Sequence, residues 1–167
     1  MGSSHIVVVG ASAGGMEALG SLVAQLPRDF AAPVLVVHHL APDTTTNALV
    51  RAMNQSGTLV CIEAQDGETF EDGHVYVAPP DQHLLILDGK IRVTKGAREN
   101  RSRPGIDPLF RSAAVAYRSR VIGVLLTGYL DDGTAGLISI QRCGGPVSFR
   151  IRAMPHTPTC HRTRSIR

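Results

Sequence analysis

Three apolar runs in this chain each end on residues that can do chemistry. Ile6-Val-Val-Val-Gly10 leads into Ala11-Ser12-Ala13-Gly14-Gly15, Val34-Leu-Val-Val37 into His38-His39, and Val121-Ile-Gly-Val-Leu-Leu126 into Thr127-Gly128-Tyr129-Leu130-Asp131-Asp132-Gly133. In a doubly wound α/β fold the carboxyl ends of parallel strands line one crevice, where ligands bind. A serine, a histidine and an aspartate delivered to that edge are the parts of a hydrolase triad.

Gly10-Ala11-Ser12-Ala13-Gly14 fits G-x-S-x-G, the nucleophile-elbow pattern. Small residues flank the serine because the turn that lifts its hydroxyl is crowded. The helix that follows offers free N–H groups to a developing oxyanion. The competing reading is a glycine-rich turn that holds phosphate on the same helix terminus. No G-x-G-x-x-G is present, and no acidic residue follows the second strand in a ribose-binding position.

Adjacent side chains in a strand point to opposite faces, so at most one of His38 and His39 can serve the crevice. Two neighbouring histidines make a poor chelate, and no metal site is expected. Asp131-Asp132-Gly133 reads by itself as a helix cap or, less simply, a metal or phosphoryl-transfer pair. Beside a serine and a histidine it reads as the carboxylate that orients the imidazole. The chain order Ser–His–Asp differs from the usual α/β-hydrolase order of Ser, acid, His.

The elements that must position these residues follow from periodicity. Strands are predicted at Ile6–Val9, Val34–Val37, Thr58–Glu63, His74–Ala78 and Val121–Leu126. Helices are predicted over Gly14–Leu26, Thr44–Met53, Pro108–Ala116 and Gly133–Arg142. Leu84–Leu87 and Ile91–Val93 flank Asp88-Gly89, a hairpin turn signal. Lys95–Arg103 is a charged loop long enough to suspect function. The fold class expected is α/β: a doubly wound, mostly parallel sheet with helices on both faces, Rossmann-like, plus a small β-hairpin.

Composition sets bounds. The chain has 167 residues, 43% hydrophobic and 19% charged, consistent with one globular domain. No apolar run approaches the ~20 residues of a membrane span. Three cysteines are too few and scattered for a disulfide framework, and a reducing cytoplasmic location is expected. Aromatics at 4% and the absence of tryptophan disfavour a base-stacking surface. The net charge of +3 hides an asymmetry: residues 141–167 hold six arginines and no acid, while residues 1–140 hold 11 Lys/Arg against 14 Asp/Glu.

Taken together, five stretches resemble the catalytic domain of the bacterial chemoreceptor protein-glutamate methylesterases, the CheB family. They are Val9-Gly-Ala-Ser12-Ala-Gly-Gly-Met-Glu-Ala-Leu19, Val37-His-His39-Leu-Ala-Pro42, Val77-Ala-Pro-Pro-Asp81, Arg103-Pro-Gly-Ile-Asp107 and Leu126-Thr-Gly-Tyr-Leu-Asp-Asp132-Gly-Thr-Ala-Gly136. The resemblance implies Ser12 as nucleophile, His39 rather than His38 as general base, and Asp132 as the orienting acid. It also implies Ala13, Gly14 and Tyr129 near the oxyanion hole and Arg103 near the substrate groove. The implied activity is hydrolysis of glutamate γ-methyl esters on chemoreceptor helices in chemotaxis adaptation, with deamidation of receptor glutamines as a second reaction. No cofactor is implied. The expected partners are methylated receptor helices and a separate receiver-domain regulator, because no phosphoacceptor domain precedes the motifs here. A monomer is expected, with no nucleic acid and no membrane insertion. Alternatives are a non-catalytic receptor- or adaptor-binding relative, and a phosphate- or nucleotide-binding α/β module.

Three departures stand out. Tyr129-Leu130 replace a usual Met-Gly, Gly105 stands where serine is common, and the family pattern stops after Cys143-Gly-Gly145. Read one base early with permitted codons, the segment from Phe149 onward spells QDPRDAAYPDMPPNAI, which looks like a family C-terminus. The expected division is therefore a catalytic domain at 1–146 and a basic, frame-shifted and disordered tail at 147–167.

Overall fold

The computed structural model describes residues 5–12, 14–39, 45–126 and 131–149. Its frame is a six-stranded, wholly parallel sheet in the order β3-β4-β2-β1-β7-β8. The strands are β1 (Ile6–Ala11), β2 (Val34–His38), β3 (Val60–Glu63), β4 (His74–Val77), β7 (Val121–Leu125) and β8 (Val147–Phe149). The hairpin β5 (His83–Leu87) and β6 (Lys90–Thr94) forms a second, antiparallel sheet. Asp88 and Gly89 at its tip both have positive φ, 51° and 71°, as a tight primed turn demands.

β1 and β2 are buried along their whole length, which is why their sequences are unbroken aliphatic runs instead of alternating ones. Alternate residues feed two cores. Val7, Val9, Val34 and Val36 pack with Leu19 and Val23 of α1 (Gly15–Gln25) and Leu49 and Met53 of α2 (Thr46–Ser56). Ile6, Val8, Leu35 and Val37 pack on the other side with Ile106, Leu109 and Phe110 of α3 (Ile106–Tyr117), Leu137 and Ile140 of α4 (Thr134–Arg142), and the hairpin. Truncating a fully buried side chain such as Phe110 to alanine would cost about 3–5 kcal/mol.

β1 leads through α1 to β2 on one side, and its other neighbour is β7. The strand order therefore reverses beside β1, and the crevice at the carboxyl ends of β1, β2 and β7 is the switch point of the sheet.

Most predicted elements lie within a few residues of the observed ones. The second helix starts and ends later than expected, at Thr46–Ser56, and α3 begins two residues earlier, at Ile106. Val147–Phe149, expected to be disordered, form β8, paired in parallel with Gly123–Leu125. Their backbone ladder needs no side-chain periodicity, so the sequence carried little signal for it. Residues 150–167, the rest of the expected tail, lie outside the described residues.

Candidate active site

Ser12 follows β1 directly, and its carbonyl accepts the N–H of Gly15 at 2.8 Å, starting α1. Between them Gly14 has φ 75°, a left-handed turn that glycine makes without strain. Gly15 is glycine for another reason: an added Cβ would lie 2.5 Å from His38 Cδ2. His38 thus packs against the first turn of α1. It is 8% exposed, and burial pushes it below the ordinary histidine range against the opposing effect of a hydrogen bond with the Ser12 backbone.

His39 turns the other way. Its Nε2 lies 2.8 Å from Asp132 Oδ2, and its Nδ1 lies 3.3 Å from Ser12 Oγ. An ionised carboxylate only accepts, so Nε2 carries the proton and donates it to Asp132. Nδ1 is then the lone-pair nitrogen, positioned to accept the Ser12 hydroxyl proton. Asp132 fixes the tautomer that the serine needs.

Asp132 is 1% exposed and fully committed. Oδ2 also accepts the N–H of Ile106 at 2.8 Å, and Oδ1 accepts the N–H of Asp107 at 3.0 Å and an Asn100 Nδ2–H at 3.1 Å. Burial alone would raise its carboxyl; the hydrogen bonds from His39, Ile106, Asp107 and Asn100 outweigh it and hold the group below the usual aspartate range. The cap reading of the Asp pair thus takes an unexpected form. Asp132 caps α3, not the helix that follows it. Helix α4 is capped across the interface by Asp107, whose Oδ1 accepts Gly133 N–H at 3.0 Å and Gly136 N–H at 2.6 Å.

Arg103 lines a cleft beside His39 and is held there by ion pairing. Its guanidinium binds Asp81 Oδ1 through Nε at 2.8 Å and a second nitrogen at 2.7 Å, and the third donates to Gly96 O at 2.8 Å. It thereby holds Asp81 below the usual carboxylate range and braces the charged loop. Arg98 and Arg101 stand in the same cleft, which His39 also lines. On the other side, Ser12 and His39 open on a groove lined by Met16, Gly20, Ala24 and Ala52 of α1 and α2. Cys61 is no competing nucleophile: it is buried, and burial pushes its thiol up to about 11. Ala13 and Tyr129, expected near the oxyanion, lie outside the described residues; Gly14 is in place as the residue that precedes α1.

The predicted Ser12, His39 and Asp132 are thus brought together in one hydrogen-bonded line, Ser12 and His39 from directly after β1 and β2 and Asp132 from just before α4. Asn100 and Asp107 were missed. Asp107 sits in the quoted Arg103–Asp107 stretch at a helix start, which is a capping signal; Asn100 had only its place in the charged loop.

The family model for the CheB methylesterase matches residues 7–154. The chain belongs to the CheB methylesterase family. A protein-glutamate methylesterase/protein-glutamine glutaminase of Anaeromyxobacter dehalogenans is 42% identical over 142 residues, covering 85% of this chain and 41% of that one. A Leptospira interrogans relative is 37% identical over 158 residues, covering 90% of this chain and 81% of that protein. The crystal structure of the Thermotoga maritima CheB methylesterase catalytic domain superposes with a TM-score of 0.81 at 38% identity, covering 88% of this chain and 78% of that one. The match to the family model runs past residue 146, through β8. No described helix is long and apolar enough to cross a membrane.

Proposed function

We propose that this CheB-family chain is a serine hydrolase that removes methyl groups from glutamate γ-methyl esters of chemoreceptor helices. The observation that carries the proposal is His39 set between Ser12 and Asp132, with its tautomer fixed by the carboxylate. Ser12 Oγ attacks the ester carbonyl as His39 Nδ1 takes its proton. The oxyanion forms beside the N-terminal end of α1, where Gly14 precedes the helix, and the family resemblance implies Ala13 and Tyr129 as further donor positions. Methanol leaves with the proton that His39 returns. Water, activated by the same nitrogen, releases the glutamate carboxylate. With a glutamine side chain the leaving group is ammonia, so the same residues support deamidation.

The setting proposed is the cytoplasm, with methylated receptor helices as substrate, a separate receiver-domain protein as regulator, and a monomeric enzyme. The open groove between α1 and α2 beside Ser12 supports a protein segment over a small enclosed substrate. A fluorophosphonate probe together with methanol release from methylated receptor membranes tests the proposal. Labelling confined to Ser12 and turnover lost in Ser12→Ala are expected. Turnover that survives Ser12→Ala would overturn it.

A further inference from the structure

The loop between β6 and α3 closes on itself at Glu99 and Ser102, whose backbones exchange hydrogen bonds at 3.1 and 2.8 Å. Between them Asn100 and Arg101 both have positive φ, 48° and 64°. Two successive left-handed residues make a primed turn, in which asparagine is tolerated and arginine is uncommon. The turn is tied to the body on both flanks, by Glu99 to Arg111 of α3 and by Arg103 to Asp81.

A turn asparagine normally spends its amide on its own backbone or on water. Asn100 does neither with its nitrogen. Nδ2 donates to Asp107 Oδ2 at 2.8 Å and to Asp132 Oδ1 at 3.1 Å. Both acceptors belong to carboxylates that are 3% and 1% exposed, whereas Asn100 itself lies at the surface. Carboxylate oxygens cannot donate, so the amide orientation is settled by chemistry: nitrogen, not oxygen, must face them. Both protons of one NH2 group are therefore used to join two buried carboxyl groups.

This arrangement concerns the same site and rests on the esterase reading. We infer that Asn100 is a positioning residue for the reaction, acting through Asp132. By clamping Asp132 Oδ1 it leaves Oδ2 aimed at His39 Nε2, and its hydrogen bond helps hold Asp132 below the usual aspartate range. The groups facing Asp132 are His39 after β2, Asp107 and the Ile106 N–H from α3, and Asn100 from the loop. Asn100 is the one member at the surface, so it can be changed without opening a cavity.

Two variants keep the turn and remove the donor. Asn100→Gly suits a positive φ and deletes the amide; Asn100→Asp keeps the shape but places a third carboxylate against the other two. With methylated receptor as substrate, kcat should fall at least tenfold in Asn100→Gly and further in Asn100→Asp, with KM within about twofold. In 13C spectra of the Asp132 carboxyl, the titration midpoint should move up in both variants. This second readout needs no turnover. A purely structural turn residue predicts parent kcat in both, since both residues fit the turn. Parent-like kcat together with an unmoved Asp132 midpoint would overturn the inference. Ser12→Ala, run in parallel, separates the two failures: activity that survives it defeats the esterase reading, and the Asp132 midpoint still decides the role of Asn100.

Discussion

Asp107 and Asp132 cap each other's helices. Asp107, in the first turn of α3, accepts two N–H groups at the start of α4, while Asp132, just before α4, accepts two at the start of α3. The exchange locks the two helices at the edge where the site lies. Removing Asp107 strands two buried donors, so Asp107→Ala should destabilise the domain by about 1–3 kcal/mol. Urea unfolding measures this; a midpoint unchanged from the parent would show that the cross-capping contributes nothing.

Ser12→Ala and His39→Ala should each lower methyl-ester hydrolysis by at least ~10³-fold, because the two act as one unit. His38→Ala should leave kcat within roughly tenfold, since His38 packs under the Ser12 turn and does not bridge to Asp132. The reverse pattern, with His38→Ala dead and His39→Ala active, would exchange the two roles. Chelators should leave the rate unchanged.

The pH dependence of stability should show two descents. The folded value of His38 lies below its unfolded value of about 6.5, so the folded state binds its proton less readily. Stability is fully present above that pH and declines as pH falls below it. Asp132 is also depressed relative to an unfolded value of about 3.9, so its contribution is lost at lower pH still, as pH falls through the folded value. Urea midpoints from pH 8 down to 3 should show the first loss weakened in His38→Asn and the second in Asp132→Asn. Parallel curves for parent and variants would contradict the assignment.

Gly136 of α4 packs directly against α3. An added Cβ would lie 2.4 Å from Phe110 Cβ and 3.1 Å from Asp107 Oδ1. Gly136→Ala should therefore destabilise by about 1–3 kcal/mol through overpacking, despite alanine's better helix propensity. A stabilised variant, read by thermal melting, would mean that the helices separate without cost.

The reading-frame hypothesis for the C-terminal segment is separately testable. β8 is only three residues long, and Phe149 at its end is 52% exposed. Replacing the codons after residue 148 with the alternative frame should raise the thermal midpoint, because an edge strand gains a matched continuation. An unchanged or lower midpoint would count against a frameshift.

The frame of the molecule was legible because strands buried on both faces need continuous aliphatic runs, and Val34–Val37 can hardly be anything else. Ser12 and His39 were legible as residues at strand ends, and family motifs chose between His38 and His39. The helix that Asp132 caps was not. Its donors come from Ile106 and Asp107, far away in sequence, and a carboxylate before a helix looks the same whether it caps its own helix or another. Asn100 was hidden for a related reason: its turn favours an asparagine anyway, so nothing in the local sequence marks the second use of its amide.

His39 and Asp132 are 93 positions apart, and β1, the strand that carries Ser12, receives its neighbour β7 only from the last third of the chain. The hydrogen-bonded line of Ser12, His39 and Asp132 therefore cannot be assembled by any early-folding piece. A growing chain that has made β1, α1 and β2 holds its serine and histidine without the carboxylate that sets the imidazole proton. On the proposed esterase reading, reactivity of Ser12 reports completed topology, and a probe that labels it would count natively folded molecules as well as active ones.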